Sequence, residues 1–387
     1  MLVLGGGITG LGVLRILARN GIPRWLVAGP ADLAFASRHA RALPAPAGRA
    51  APPDAGLAPF LRALPVESAV LIPCSDDWVR QVAQLDPEIR TRFPSAVPSP
   101  EALDQAIDKG RFATLLQAIG VPHPRSWPLE AGAGLDHLPA DAFRHAFLKP
   151  RDSQSFFARY GVKGLWVDSA ALARDRLEEV TAAGLAVQLQ EYVPGPPTNH
   201  VFIDGYACAG GDIRGLLVRR RLRMYPGDFG NSTLMVTIAP EEAPEAVTSV
   251  RRLVEALSFH GVFSVEFKQS EADGRYYALE MNARPWWYVD YAALAGMDVI
   301  RMAWLDARGE PVPEVRHYQI GRRCVFPYYD WFAFREQRGR HRAGVWGWLW
   351  GLVGADQPVL RFSDPGPAWR AVRSLLRRRR ASAKVTR

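Results

Sequence analysis

Cysteine is scarce in this chain. Cys74, Cys208 and Cys324 stand far apart in 387 residues and form no C-x-x-C pair. An odd, scattered set excludes a disulfide framework and points to a reducing compartment. No basic n-region precedes the opening MLVLGGGITG, so no secretion signal is expected and localisation is expected to be cytoplasmic. No apolar run reaches the ~18–20 residues of a membrane span. The longest of note, GVWGWLWGLVGA at 344–355, is too short. Acids are missing altogether after Asp364, where eight basic residues follow. That tail accounts for nearly all of the net charge of +9, so the body is close to neutral. A nucleic-acid groove across the body is therefore excluded, and no nucleic-acid partner is expected. There is also no internal repeat and no long low-complexity segment.

What is present is the composition of a soluble globular protein, 48% hydrophobic and 22% charged, in a chain long enough for two or three domains. Residues 1–105 alternate between buried-strand runs (LVLGG, RWLVAG, SAVLIPCSDD) and a helix, GLGVLRILARNG, that ends at Gly21. This is the rhythm of a parallel sheet. RALPAPAGRAAPPDAG between them reads as an exposed loop. In SPEALDQAI, Ser99 is placed to cap a short helix with Pro100 in its first turn, and Asp108 to cap the next, DKGRFATLLQAIG. From Phe147 to Asn282 the pattern is strand-rich with helices near 170–183 and 243–258, an α+β region.

Gly5, Gly7 and Gly10 have the G-x-G-x-x-G spacing of a dinucleotide-binding turn. The acid expected at the end of the second strand is absent from RWLVAGP, and Asp32 lies past two turn-formers. A structural glycine turn is the stronger reading, and a nicotinamide-dependent oxidoreductase the weaker alternative. Asp76 and Asp77 follow a strand where a parallel sheet presents ligand groups. They suit either a substrate amino group or a helix cap. Cys74 reads as a small buried hydrophobe. His123, His200 and His260 share no metal spacing.

The stretch YYALEMNARPWW, 276–287, carries the most chemistry. FSVEFKQ and RYYALEMNA alternate and are joined by SEADG, a hairpin turn. A period of two puts Glu280, Asn282 and Arg284 on one face and Leu279 and Met281 on the other. The turn position sets Glu266 opposite Glu280. Like charges directly opposite are destabilising unless a cation joins them, and Glu and Asn oxygens suit Mg²⁺. The bland alternative is a solvated outer face on which Lys268 neutralises one acid. Trp286, Trp287 and Tyr288 then either wall an acceptor pocket or pack in the core.

E-x-N-x-R on a strand, with an earlier glutamate on the preceding strand, resembles the metal site of ATP-grasp ligases. Over about 1–310 the family's other parts follow in order: DKGRF, FLKP, LQEYVPG and RRRLRMYP. SDDWV, DFGNST and NARPW resemble uncharacterised ATP-grasp carboligases and, more distantly, D-aspartate ligase. The resemblance implies a Rossmann-like pre-ATP-grasp domain at 1–105, a two-lobed ATP-grasp domain at 106–310 with its linker near 190–195, and a C-terminal extension at 311–387. The expected fold class is thus multidomain, α/β and α+β. It also implies ATP and Mg²⁺, or Mn²⁺ instead, as cofactors. Metal ligands would be Glu266, Glu280 and Asn282. Lys109 and Lys149 would hold phosphates, and Glu191, Tyr192 and Val193 the adenine. Arg284, Arg221 and Arg223 would act on phosphate or substrate. The phosphate-covering loop, glycine-rich in many relatives, is here DSQSFFARYGVKG, with Ser153, Ser155 or Lys163 expected to assist. The implied reaction joins a small carboxylate to an amine through an acylphosphate, releasing ADP and phosphate; family members are often homodimers. The alternative within this frame is a degenerate nucleotide-binding or membrane-peripheral protein. For the segment after about residue 311, Trp346, Trp348 and Trp350 followed by arginines suit either an anionic membrane surface or a helix packed on the body or a partner subunit, with a disordered basic tail.

Overall fold

The computed structural model of the chain describes residues 1–43, 56–129, 135, 138–151, 153–336 and 344–385. The loop expected at 41–56 therefore lies largely outside the described residues.

The N-terminal part is a parallel sheet of order β2-β1-β3, from β1 (Leu2–Leu4), β2 (Trp25–Val27) and β3 (Leu71–Pro73). Helices α1 (Gly7–Arg19), α2 (Leu57–Ala63), α3 (Asp76–Ala83) and α4 (Pro87–Arg92) connect and flank these strands. The strands are buried on both faces, which is why they read as unbroken apolar runs. Ser75 caps α3 by accepting from the Trp78 N–H, so Asp76 and Asp77 sit in the first turn, where the helix dipole favours acids.

Two helices follow, α5 (Pro100–Ile107) and α6 (Lys109–Ala118), capped by Ser99 and Asp108 as the sequence predicts. A four-stranded antiparallel sheet comes next, ordered β4-β7-β5-β6. Its strands are β4 (Ser126–Pro128), β5 (Ala146–Pro150), β6 (Leu165–Val167) and β7 (Val187–Glu191). Helices α7 (Ser153–Tyr160) and α8 (Ala170–Ala182) complete this lobe, and Phe156, Ala173 and Val180 help fill its own core.

The larger sheet has six strands in the order β12-β11-β8-β9-β10-β13. They are β8 (His200–Cys208), β9 (Asp212–Tyr225), β10 (Asn231–Ile238), β11 (Gly261–Gln269), β12 (Tyr276–Asn282) and β13 (Arg323–Val325). One face packs on α9 (Pro244–Ala256) together with α5 and α6, through Val201, Ile203, Val265 and Phe267 among others. The other face looks towards the four-stranded sheet. Helices α10 (Val289–Leu294) and α11 (Val299–Asp306) carry the chain back against α1. After β13 come α12 (Pro327–Glu336), α13 (Val345–Leu352) and α14 (Gly366–Val385). The basic tail expected to be disordered is thus helical as far as Val385. The segment is fastened to the front of the molecule. Buried Arg15 of α1 donates to the Asp364 carboxylate at 3.0 Å and to the carbonyls of Pro358 and Val359 at 2.7 and 3.0 Å.

Candidate functional site

The hairpin of β11 and β12 has the predicted register: Glu266 stands opposite Glu280 and Ser264 opposite Asn282. One residue later the ladder shifts, so Phe267 pairs with Ala278 and Leu279 becomes the extra residue of a bulge. Strict alternation puts Leu279 on the face of Met281, opposite that of Glu280. The bulge instead turns Leu279 to the cleft, while Met281 and Ala278 pack inside. Lys149 Nζ donates to the Leu279 carbonyl at 3.2 Å from across the gap between the sheets. The face carrying Glu266, Glu280 and Asn282 is therefore the wall of a cleft, not a solvated outer face.

The two carboxylates differ in surroundings. Burial alone would raise the pKa of Glu266. The Arg221 guanidinium, the His200 hydrogen bond and nearby Lys163 outweigh that and hold it well below the usual carboxylate range. Arg221 donates to Glu266 Oε1 at 2.9 Å, and the His200 Nδ1 lies 2.8 Å from the same oxygen. Burial, reinforced by Arg221, lowers the His200 pKa to about 4, so its imidazole is neutral at pH 7 and Nδ1–H donates. Glu280, by contrast, has no salt-bridge partner among the described residues. Its hydrogen bond is a 3.4 Å contact from Asn282 Nδ2.

Two adjoining clefts meet here, of about 670 and 580 Å³, sharing Asp76, Lys149, Gln190, Leu279, Glu280 and Asn282. The first also takes in Lys109, Ser155 and His123. Lys109, at the start of α6, donates to the Pro150 carbonyl and, at 3.4 Å, to that of Arg151. Lys149 is buried, which lowers its pKa against the opposing pull of Glu280 and Glu266. In place of a glycine-rich phosphate loop, the chain between β5 and β6 forms α7. Ser155 stands at the cleft on this helix; the Ser153 side chain lies outside the described residues.

The second cleft is lined by Tyr192, Val193, Phe202, Arg219, Arg221 and Trp287, among others. Lys268 stacks over the Tyr192 ring at 4.0 Å, and burial followed by Arg221 lowers its pKa to about 8. Phe147, Trp166, Tyr192 and Phe229 form an aromatic group with ring centroids 4.6 to 6.5 Å apart. Phe229 comes from the β9–β10 loop, whose Asp228 accepts from Trp166 Nε1 of β6 at 3.0 Å; Asn231, at the start of β10, accepts from Lys163 Nζ. Trp286 and Tyr288 serve both roles foreseen for them, being buried in the core and lining this cleft. The Trp286 Nε1 is buried without a hydrogen-bond partner among the described residues.

Three other residues singled out from the sequence sit differently from the simplest expectation. Glu191 lines the second cleft, and its carboxylate accepts from Arg125 Nε, 3.3 Å away. Its neighbours Gln188 and Gln190 face the first cleft, and Gln190 donates to Ser126 at 2.8 Å. Alternation along VQLQE could have shown this. Arg223 lines neither cleft. It forms a bidentate pair, at 2.9 and 2.6 Å, with Asp330 of α12, a fully buried acid that also binds Thr233 and Trp348. An uncompensated charge at that depth would be costly, so Arg223 is held there. Arg284 reaches the second cleft but pairs with Asp76 at 2.8 and 3.0 Å, tying the N-terminal part to the site. Two further residues take part through partners that the sequence did not signal. His200 is bound to Glu266, and Arg219 pairs with buried Asp204 at 2.5 Å.

The N-terminal glycine turn is filled by the protein itself. Asp32 Oδ1 accepts from the Gly7 and Ala34 N–H groups at 2.8 Å each. A Cβ at Gly6 would lie 2.2 Å from that carboxylate, so the glycine admits Asp32. A dinucleotide pyrophosphate would have to displace an anion already bound at the helix N-terminus. Cys74 is buried, and desolvation pushes its thiol up to about 12, in keeping with a packing role.

The donor set fits a hard divalent cation, with two carboxylates and an amide on adjoining strands and one carboxylate lacking a cationic partner. Among the described residues there is no group of three or more His, Cys, Asp or Glu side chains suited to a metal. Any ion here would have to complete its shell from Asn282, phosphate oxygens and water.

No protein-family model and no curated protein matches the chain. Solved structures do. It is similar to N5-carboxyaminoimidazole ribonucleotide synthetase from Thermus thermophilus (TM-score 0.59, 18% identity, 84% of this chain and 81% of that one). It is similar to L-amino acid ligase from Bacillus licheniformis (TM-score 0.57, 16% identity, 82% and 78%). It is similar also to biotin carboxylase from Campylobacter jejuni (TM-score 0.58, 18% identity, 83% and 73%). The chain has the fold these proteins share, that of the ATP-grasp ligases.

Proposed function

We propose that this ATP-grasp fold serves an ATP-dependent ligase that joins a small carboxylic acid to an amine, releasing ADP and phosphate. The observation that carries the reading is the Glu266–Glu280 pair with Asn282, facing Lys149 across the gap between two antiparallel sheets. The ligases of similar fold support the same class of reaction.

In this reading Phe147, Tyr192 and Val193 receive the adenine, with Gln190 beside them. Lys149 and Lys109 neutralise phosphate oxygens. Glu266, Glu280 and Asn282 would hold Mg²⁺, which supplies charge neutralisation at the phosphates. Arg221 fixes the Glu266 carboxylate in its ionised form. The substrate carboxylate oxygen forms a bond to the γ-phosphorus as the bond to the β-phosphate oxygen breaks, giving an acylphosphate. The amine nitrogen then bonds to the acyl carbon, phosphate leaves, and the nitrogen loses a proton. Positioning and charge neutralisation are the protein's main contributions to such a transfer. The Trp286 N–H, which lines the second cleft without a hydrogen-bond partner among the described residues, would offer an acceptor a donor there. Arg284 would act from its Asp76 pair; Arg223 we assign to stability instead. We take 1–105, 106–310 and 311–387 as the working division of the chain.

The test is phosphate release from ATP and Mg²⁺ with pools of amino acids and small carboxylic acids. Release that requires one acid and one amine together is the expected result. ATP binding in a thermal-shift assay without release in any pool would favour a binding-only protein. No ATP binding would remove the reading altogether.

A further inference from the structure

The C-terminal helices are apolar on the side that faces away from the protein. In α13, Trp348 points inward, with its ring 5.1 Å from Trp331 and its N–H on Asp330 at 2.9 Å. Trp346 and Trp350 point outward and are 79% and 70% exposed. In α14 the body-facing side holds Pro367, Ala371 and Arg370, whose guanidinium binds the Asp32 carbonyl at 2.6 Å. The opposite side carries Trp369, Val372 and Leu376 at i, i+3 and i+7, and Trp369 is 65% exposed. Between the two helices, Phe362 is 98% exposed. A surface helix of a globular protein normally shows the reverse arrangement.

Within 344–387 the charge not taken up in ion pairs is positive. The acids in 344–387 are Asp356 and Asp364. Asp356 is held by Arg322 at 2.6 and 3.0 Å, and Asp364 by Arg15. On a helical projection the positions of Arg373, Arg377, Arg380 and Lys384 fall beside the Trp369–Leu376 stripe. Exposed tryptophan and aliphatic side chains on a helix with basic positions beside them match a headgroup region over acyl chains. A second copy of this chain would bring the same positive charge. A nucleic acid would leave Val372, Leu376 and Leu349 without apolar partners. Among the described residues no helix is long and apolar enough to cross a membrane, so the helices would lie along the surface.

The geometry points to α13 and α14 as a docking face for an anionic lipid bilayer. The test uses the full chain and vesicles of phosphatidylcholine alone or mixed equally with phosphatidylglycerol. The parent protein sediments with the anionic vesicles, less so as salt is raised. The variant W346S/W350S/W369S binds them at least tenfold more weakly while keeping the parent melting temperature, because these side chains are exposed. Failure to sediment with either vesicle overturns the proposal, as does equal binding to both. A concentration-dependent dimer abolished by the same substitutions would assign the face to a second copy. Tighter binding of a single-stranded oligonucleotide than of vesicles would assign it to nucleic acid. Either result also overturns the proposal.

Discussion

The two sheets that face each other across the cleft handle charge in opposite ways. On the large sheet two acids are matched by cations of the same sheet. Glu266 is matched by Arg221 and His200, and Asp204 by Arg219. The small sheet turns Phe147, Trp166, Gln188 and Gln190 to the cleft with the single cation Lys149, which finds its nearest acids on the other sheet. Glu280 is the exception on the large side, an acid without an ion-pair partner among the described residues. Glu266 and Asp204 are thus satisfied on the large sheet itself, whereas Glu280 and the small sheet's Lys149 face each other across the cleft. A polyphosphate with its counter-ion suits that cleft, because it needs cations from one side and tolerates acids on the other only through a metal.

Four experiments break or sharpen this contrast. The largest effect is expected from Glu280→Gln. Phosphate release should fall by about 10³-fold in kcat/KM, in the range seen when one preorganised charge is removed, with the melting temperature nearly unchanged. Full activity would exclude Glu280 from the site. Arg221→Met should act on stability instead. It leaves Glu266 buried with only a neutral histidine, and denaturant unfolding should show a loss of about 3–5 kcal/mol. Adding Glu266→Gln should recover part of that loss, and a simple sum of the two single effects would show that the pair is not coupled.

Next comes pH. His200 has a folded-state pKa of about 4 against an ordinary value of 6.5. The unfolded chain therefore takes up the proton first as pH falls. Stability should be complete above about pH 6.5 and decline by roughly 3 kcal/mol down to about pH 4. In His200→Gln this part of the profile should flatten, and an unchanged slope would refute the assignment. The smallest effect is expected from Lys149→Met, which removes a cation the small sheet brings to the phosphates. The KM for ATP should rise about 10- to 30-fold with kcat less affected. A fall in kcat alone would place Lys149 in the chemistry rather than in binding.

The sequence made the Glu266–Glu280 register readable because a short turn fixes hairpin pairing and alternation then assigns the faces. The caps at Ser99 and Asp108 were equally local and equally readable. What alternation could not foresee was the bulge, since one extra residue reverses the side of Leu279 while leaving Glu280 in place. The roles of Arg223 and Glu191 were obscured for a related reason. Arg223 belongs to Asp330, 107 residues away, and Glu191 to Arg125, 66 residues away, and no periodicity reports such partners. Gln190 was visible by parity but outweighed by the charge of its neighbour. The Asp32 carboxylate in the glycine turn was signalled only by spacing, because its hydrogen bonds depend on the path of the loop after β2.

The Arg15–Asp364 pair carries a consequence for synthesis. The partners are 349 residues apart. At ribosomal rates of about 5–20 residues per second, Arg15 emerges roughly 20–70 s before Asp364 exists. Through that interval its guanidinium has no native acceptor, and α1 cannot be fully buried without stranding a charge. The part of the chain made first is therefore completed last, and a nascent chain halted before residue 364 should expose α1 to proteases or chaperones.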